Sequence, residues 1–146
     1  MIDYPIEEGF LPGQNIVFAL SKARNLLTAD MDVALAGTGV TSSQVGLLLF
    51  LSLGLAHSSA ALSRLLCIDS GFVTRLIDRL ERKGFVQRVR DGQDRRVVNL
   101  TLTEPGRHAA ARIAEIVPAV LNRRLSSFTA IELQILQSLL SKFLDD

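Results

Sequence analysis

The spacing of apolar residues changes abruptly at Gly84. Before this glycine, apolar residues occupy the i, i+3, i+4 and i+7 positions of a helix: Val73, Leu76, Ile77 and Leu80. After it, apolar and polar residues alternate, and Asp91-Gly92 is a strong hairpin-turn signal between two short runs. The pattern predicts a helix closed by Gly84, followed directly by a β-ribbon. One face of the returning strand should lie on a core: Val98, Leu100 and Leu102.

Helix-start signals place three more helices before this point. An amphipathic pattern runs from Gln14 to Leu35. Thr41 with Gln44 forms a capping-box pattern that opens a very apolar second helix reaching about Ser52. Ser58 can cap a short third helix, and Asp69 or Ser70 starts the fourth. The third and fourth helices are therefore predicted to form a helix-turn-helix.

Two further helices are predicted after the ribbon. Thr103 and Pro105 signal a fifth helix running to about Leu125, which Pro118 should kink or divide. Thr129 and Glu132 open a last helix that is apolar around more than one face. Part of that surface should therefore pack on another subunit, together with the first and fifth helices. The residues expected in this dimer contact are Leu133, Leu136, Leu140 and Phe143.

The chain is long enough for one domain, and we expect residues 1–146 to form a single unit. Its predicted class is mainly α (α+β). A winged helix-turn-helix should occupy about residues 41–103, and N- and C-terminal dimerisation helices should occupy about 12–36 and 104–146.

Positive charge is concentrated in the middle of the chain. Arg64 to Arg96 holds nine basic and five acidic residues, a net +4, whereas the remainder carries −3. A basic second helix joined to an Arg-rich hairpin can read a major groove and reach the adjacent minor groove. We expect Asp78 to hold Arg75 or Arg82 in place. The predicted contacts to double-stranded DNA are Ser58, Ser70, Thr74, Arg75, Arg79, Arg82, Lys83, Arg88, Arg90, Asp94, Arg95 and Arg96.

The stretch from Leu62 to Gly106 resembles the multiple-antibiotic-resistance-regulator (MarR) family of transcriptional regulators. The resemblance is carried by VTRLIDRLERKGFV at the recognition helix and by DGQDRRVVNLTLTEPG through the wing, which contains an Asp-x-Arg motif. It implies a homodimer that binds a roughly palindromic operator. By position, Arg96 would enter the minor groove, Asp94 would orient it, and Arg95 would lie near phosphate. Gly92 stands where many members carry proline, and the strand ladder must twist or end before Arg96.

The family resemblance implies a regulator, which we expect to act as a repressor relieved by a small apolar or phenolic ligand. Two alternatives stay open. One is a winged-helix module that binds protein without binding DNA. The other is a redox-responsive regulator that uses Cys67, the single cysteine, although we expect this residue to be a small buried apolar filler.

The sequence contains no motif typical of an enzyme, a metal site or a cofactor site. It has no phosphate-binding glycine loop and no histidine with an obvious acid or cysteine partner. The longest apolar run, Val45 to Leu55, is too short for a membrane span. The acidic amino terminus (Asp3, Glu7, Glu8) lacks the pattern of a secretory signal. We therefore expect a cytoplasmic protein with no membrane partner.

Overall fold

The computed structural model describes residues 15–145, which form six α-helices and one two-stranded antiparallel sheet. This confirms the mainly α class. The acidic residues Asp3, Glu7 and Glu8, and positions 12–14 of the predicted first dimerisation region, lie outside the described residues. The elements are α1 (Ile16–Ala34), α2 (Ser42–Ser52), α3 (Ser59–Leu66), α4 (Ser70–Arg82), β1 (Val86–Arg90), β2 (Val98–Leu102), α5 (Glu104–Arg124) and α6 (Ala130–Leu144).

The predicted helix caps are confirmed. The Ser58 hydroxyl accepts a hydrogen bond from the Ala61 backbone N–H at 3.1 Å. The Asp69 carboxylate accepts one from the Phe72 N–H at 2.9 Å, so Asp69 caps α4 and Ser70 is its first residue. Capping boxes open α2 and α6, as their sequences predict. These polar side chains satisfy backbone donors that have no partner within the helix, and they fix where each helix begins.

The core lies where α2, α4, α5 and β2 meet. The predicted stripe of α4 is buried completely, and Leu47, Leu48 and Ile113 pack in the same cluster. The opposite face of α4 therefore points away from the core. The backbone N–H of Leu100 also donates to the His57 carbonyl at 2.8 Å, which ties β2 to the chain that enters α3.

The ribbon has the predicted strands, and a long connection joins them. The ladder runs from the pair Val86 and Leu102 to the pair Arg90 and Val98, which leaves residues 91–97 as a seven-residue connection. Asp91 and Gly92 begin this connection, as the sequence predicts, and Gly92 does not adopt a positive φ. Val98 was expected to face the core but is 41% exposed, because the ribbon extends beyond the helices at this end.

The two ends of the ribbon, where the chain leaves α4 and enters α5, pack tightly against each other. Thr103 donates from its backbone N–H to the Phe85 carbonyl at 3.1 Å, and its hydroxyl donates to the Gly84 carbonyl. A Cβ on Gly106 would lie 1.9 Å from the Phe85 carbonyl oxygen, so only glycine permits this approach. Beyond Gly106, α5 runs continuously through Pro118, and the predicted division of this helix is wrong.

Two helices leave apolar faces uncovered within residues 15–145. Neither α1 nor α6 contains a buried residue, and α6 has very little contact with the rest of the described chain. Leu133 is half-buried, whereas Leu136, Leu140 and Phe143 are exposed. No helix in the described range is both long and apolar enough to cross a membrane.

Cys67 is exposed, so its prediction as a buried filler is wrong. It ends α3 in the left-handed region, with a φ of 50°, and its thiol lies 3.5 Å from the Arg64 carbonyl oxygen. The tight reversal between α3 and α4 turns this side chain outward, whereas Leu62 reaches the core.

Candidate nucleic-acid interface

The outer face of α4 presents a row of polar and cationic side chains. Arg75, Arg79 and Arg82 are all exposed, at spacings of three or four residues. Thr74 and Ser70 are exposed near the amino end of the helix, where the Thr74 hydroxyl donates to the Ser70 carbonyl at 2.9 Å. This half of α4 is a convex cationic surface of the size that a major groove accepts.

The structure places the other predicted contacts around this face. Ser58 is half-buried, and its hydroxyl is used as the cap of α3. Lys83 donates from its ammonium to the Gly39 carbonyl at 2.5 Å, while Arg82 Nε donates to the Asp78 carbonyl at 3.3 Å. The remaining residues lie exposed on the ribbon or on the connection at its tip: Arg88, Arg90, Asp94, Arg95 and Arg96.

Arg88 has two carboxylate partners. Its guanidinium donates to Asp78 at 2.7 Å and to Glu81, so β1 is fastened to the side of α4. The hydrogen bond to Asp78 is the largest of the effects that raise the pKa of Arg88, and the nearby charge of Glu81 adds to it. The prediction that Asp78 holds Arg75 or Arg82 with its carboxylate is wrong, because Arg88 from the neighbouring strand occupies that carboxylate.

The other arginines of this surface keep their charge unpaired. Within residues 15–145, the ion pairs involve only Arg88 and Arg124 among the arginines. No carboxylate of the described chain therefore lies within ion-pair distance of the guanidinium groups of Arg75, Arg79, Arg82, Arg90, Arg95 and Arg96. We define these six as the open arginine set. They create a local positive potential that favours a polyanion.

The wing tip is ordered by two aspartates. Asp91 accepts backbone hydrogen bonds from Gln93 at 2.8 Å and Asp94 at 3.1 Å, and these bonds lower the pKa of Asp91. Asp94 in turn accepts from the backbone N–H of Arg96 at 2.9 Å. It thus positions the main chain of Arg96, which lies outside the strand ladder with its side chain exposed.

The structure adds one residue that the sequence patterns did not indicate. Phe72 is 37% exposed on α4, and the guanidinium carbon of Arg75 lies 5.7 Å from its ring centroid. The sequence did contain a signal. Phe72 immediately precedes Val73, the first residue of the buried stripe, so its side chain lies at the edge of the stripe and is only partly covered.

An open groove lies on another part of the molecule, between α1 and α5. It is lined by small and apolar side chains, with one cation at its edge: Ala34, Ile116, Ala119, Val120 and Arg123. Among residues 15–145, no cluster of three or more His, Cys, Asp and Glu side chains could hold a metal ion.

The MarR family model matches residues 40–98, which run from the end of the α1–α2 connection into β2. The multiple antibiotic resistance protein MarR of Escherichia coli strain K12 is 31% identical over 106 residues, covering 72% of this chain and 74% of that protein. The regulator SarZ of Staphylococcus haemolyticus is 48% identical over 46 residues, a match that spans 32% of this chain and 31% of SarZ.

Solved structures share the architecture over most of the chain. The S. aureus MepR–DNA complex aligns with a TM-score of 0.81 at 21% identity, covering 89% of this chain and 96% of that chain. CouR from Rhodococcus jostii bound to p-coumaroyl-CoA aligns at 0.79 and 19% identity, covering 92% and 94%. BpsR from Bordetella bronchiseptica, whose DNA binding is regulated by 6-hydroxynicotinic acid, aligns at 0.80 and 23% identity, covering 89% and 98%. These alignments confirm the winged-helix fold.

Proposed function

The chain belongs to the MarR family of transcriptional regulators, and we propose that it binds a palindromic DNA operator as a homodimer and represses transcription there until a small ligand releases it. The observation that carries this proposal is the open arginine set, which lies on the recognition helix α4 and the wing. DNA phosphates and guanine edges are the partners that such arginines fit best.

The position of each residue on α4 or on the wing suggests which part of the DNA it would contact. Ser70, Thr74, Arg75 and Arg79 lie on the part of α4 that would enter the major groove, where Arg75 and Arg79 can reach guanine O6 and N7. Arg90, Arg95 and Arg96 would follow the wing to the neighbouring minor groove and its phosphates. Arg88 and Lys83 would act mainly by fixing the interface, because each is already engaged with an intramolecular acceptor. Arg82 donates to the Asp78 carbonyl through Nε alone, so its charge remains available to a phosphate.

Dimerisation is supported by the uncovered apolar faces of α1 and α6. Exposed large apolar side chains are costly to leave in water, and 13 of the 21 in the described chain lie on these two helices. In the proposed dimer, residues 104–146 and about 12–36 would form the subunit contact, and two lobes of residues 41–103 would read half-sites about 34 Å apart. The protein would act in the cytoplasm.

A small apolar or phenolic effector is supported by the relatives and by the groove between α1 and α5. CouR was solved with a phenolic thioester, and BpsR responds to a hydroxylated aromatic acid. The groove between α1 and α5 in this chain has an apolar lining, and Arg123 at its edge could pair with a phenolate or a carboxylate.

The test of the proposal is binding to a selected DNA duplex as salt is varied. A dimer that neutralises six or more phosphates should lose about 10³-fold or more in affinity between about 50 and 200 mM salt. Arg75→Ala should weaken binding by about 1–3 kcal/mol. Arg112→Ala on α5 is the matched control, since it removes an exposed arginine from a different helix. Flat salt dependence, with equal affinities for both variants, would instead favour the winged-helix module that binds protein.

The exposure of Cys67 keeps the redox alternative testable. Its thiol is accessible at the start of the helix-turn-helix connection. A regulator that uses this thiol should lose DNA binding when treated with peroxide, and Cys67→Ser should be insensitive. If both proteins respond equally to peroxide, the redox role is wrong, while the DNA-binding proposal stands.

A further inference from the structure

Phe72 and Arg75 form a single preassembled unit on the first turns of α4. The guanidinium carbon of Arg75 lies 5.7 Å from the Phe72 ring centroid, which is within the range of a cation–π contact. Phe72 remains 37% exposed, so a substantial part of its apolar surface faces outward from the helix. The two side chains are three residues apart, and neither belongs to the buried stripe of α4.

Arg75 passes close to Gly71. A Cβ at Gly71 would lie 3.6 Å from Nη1 of Arg75 and 3.0 Å from the carboxylate of Asp69. The arginine therefore extends back towards the amino end of α4, over a position that has no side chain. A long side chain held between a ring and bare backbone loses less conformational freedom on binding than a freely solvated one.

The amino end of a recognition helix is the part that reaches base edges. An arginine there is suited to the O6 and N7 acceptors of guanine, whereas an exposed phenyl ring is suited to the 5-methyl group of thymine. Neighbouring bases on one strand are about 3.4 Å apart along the axis, so a unit of this size can span one base step.

We propose that Phe72 and Arg75 together read a guanine and an adjacent thymine in each half-site, with Arg75 on the guanine edge and Phe72 on the thymine methyl group. This inference rests on the proposed DNA-binding function and adds a base preference to it. Arg75 alone would specify guanine, and Phe72 makes the neighbouring base pair part of the recognised sequence.

The experiment begins with selection of binding sites from a random duplex library by the wild-type protein. The expected sites contain guanine next to thymine in both half-sites. The thymine is then replaced by deoxyuridine, which removes only the methyl group, and the guanine by 7-deazaguanine, which removes N7. Losing one buried methyl group should lower wild-type affinity about fourfold, corresponding to about 0.8 kcal/mol.

The variants assign each effect to its side chain. Phe72→Ala should bind the thymine and deoxyuridine sites equally while still responding to 7-deazaguanine. Arg75→Ala should bind the guanine and 7-deazaguanine sites equally while still responding to deoxyuridine. A deoxyuridine placed at a thymine elsewhere in the site is the matched control. Because about two-thirds of Phe72 is covered, its removal should lower the Tm, and all affinities are therefore compared at a temperature where circular dichroism shows each variant to be folded. Should Phe72→Ala fail to fold, Phe72→Gln keeps more of the side-chain volume, removes the apolar ring and takes its place in the same comparison.

The outcomes separate this inference from the function on which it rests. If no sequence is enriched and binding is insensitive to salt, the DNA-binding function is wrong and this inference falls with it. If a sequence is enriched and binding is salt-dependent, but the wild-type protein is indifferent to the methyl group or Phe72→Ala retains its sensitivity, only the Phe72 assignment is overturned.

Discussion

Arg88 on β1 donates to the carboxylate of Asp78 on α4 at 2.7 Å, and this bond joins the wing to the recognition helix. Both side chains are partly exposed, so the pair contributes only about 0–1 kcal/mol to the free energy of unfolding. Its larger effect is geometric. Because Glu81 holds the same guanidinium, β1 is fixed at two points along one side of α4. The distance between α4 and the wing arginines depends on this attachment.

We expect Arg88→Ala to weaken operator binding about equally across sequences while changing the Tm by only a few degrees. The reason is that Arg88 positions the wing and is not free to read a base. Fluorescence anisotropy on matched and mismatched sites measures the first effect, and thermal unfolding measures the second. Asp78→Asn should weaken binding in the same direction, since it keeps the shape but removes the charge. A selective loss at one base pair would contradict the positioning role.

The wing tip should depend on acid through Asp91. Backbone hydrogen bonds from Gln93, and then from Asp94, stabilise the charged form and hold the pKa of Asp91 below its usual 3.8. A lowered folded pKa means that the stabilisation is complete above pH 3.8 and is lost as the pH falls through the lower folded value. NMR of the Gln93 and Asp94 amides should show the loop opening in that window. Asp91→Asn retains an acceptor oxygen and should abolish the titration.

Gly106 should not tolerate substitution, because α5 packs closely against the backbone of Phe85. The new Cβ in Gly106→Ala would lie 1.9 Å from the Phe85 carbonyl oxygen, so backbone must move. We expect a loss of about 3 kcal/mol in the free energy of unfolding, at the upper end of overpacking costs. Gly92→Ala is the control, because its Cβ would meet nothing within 4 Å. Urea unfolding should separate the two variants clearly, and equal midpoints would show that the approach is not close.

The apolar face of α6 should set the oligomeric state. Leu140→Glu places a charge among exposed apolar side chains, where a dimer interface would have to bury it at a cost of several kcal/mol. Light scattering after size exclusion should then report a monomer. Gln134→Glu lies on the polar side of the same helix and should leave the dimer intact. A wild-type protein that is already monomeric would contradict the dimer, as would a Leu140→Glu protein that stays dimeric.

The left-handed backbone at Cys67 should make glycine favourable there. With a φ of 50°, a residue that bears a Cβ is strained by about 1 kcal/mol or more, which glycine avoids. Cys67→Gly should therefore raise the free energy of unfolding by up to about 1 kcal/mol, whereas Cys67→Ala should not. Chemical denaturation measures both values. Equal stability of the two variants would show that the strain is negligible.

The sequence was most informative where local chemistry decides the outcome. Ser58 and Asp69 satisfy backbone donors next to them, so their helix starts could be read from the chain alone. The period of the α4 stripe likewise fixed which face is buried. The Asp-Gly pair marked the position of the hairpin connection but not its length, because the Asp91 side chain accepts from the following amides and supports seven residues.

Interactions between distant residues could not be predicted in the same way. Asp78 has several arginines nearby in sequence, but its partner is ten residues away, on a strand whose placement depends on the whole fold. The burial of Cys67 was misjudged because its apolar neighbours suggested a core, whereas the turn points the thiol outward. The contact between Phe72 and Arg75 depends on side-chain rotamers, which periodicity does not specify.

The approach of Gly106 to Phe85 packs the start of α5 directly against the segment that leaves α4. Thr103 reinforces it through hydrogen bonds to the Phe85 and Gly84 carbonyls. Phe85 is in turn bonded to α4, because its backbone N–H donates to the Leu80 carbonyl at 2.9 Å. The helix that bears the arginines and the helix that follows the wing therefore share one close-packed segment, and a rearrangement of α5 at this end would have to be accommodated there.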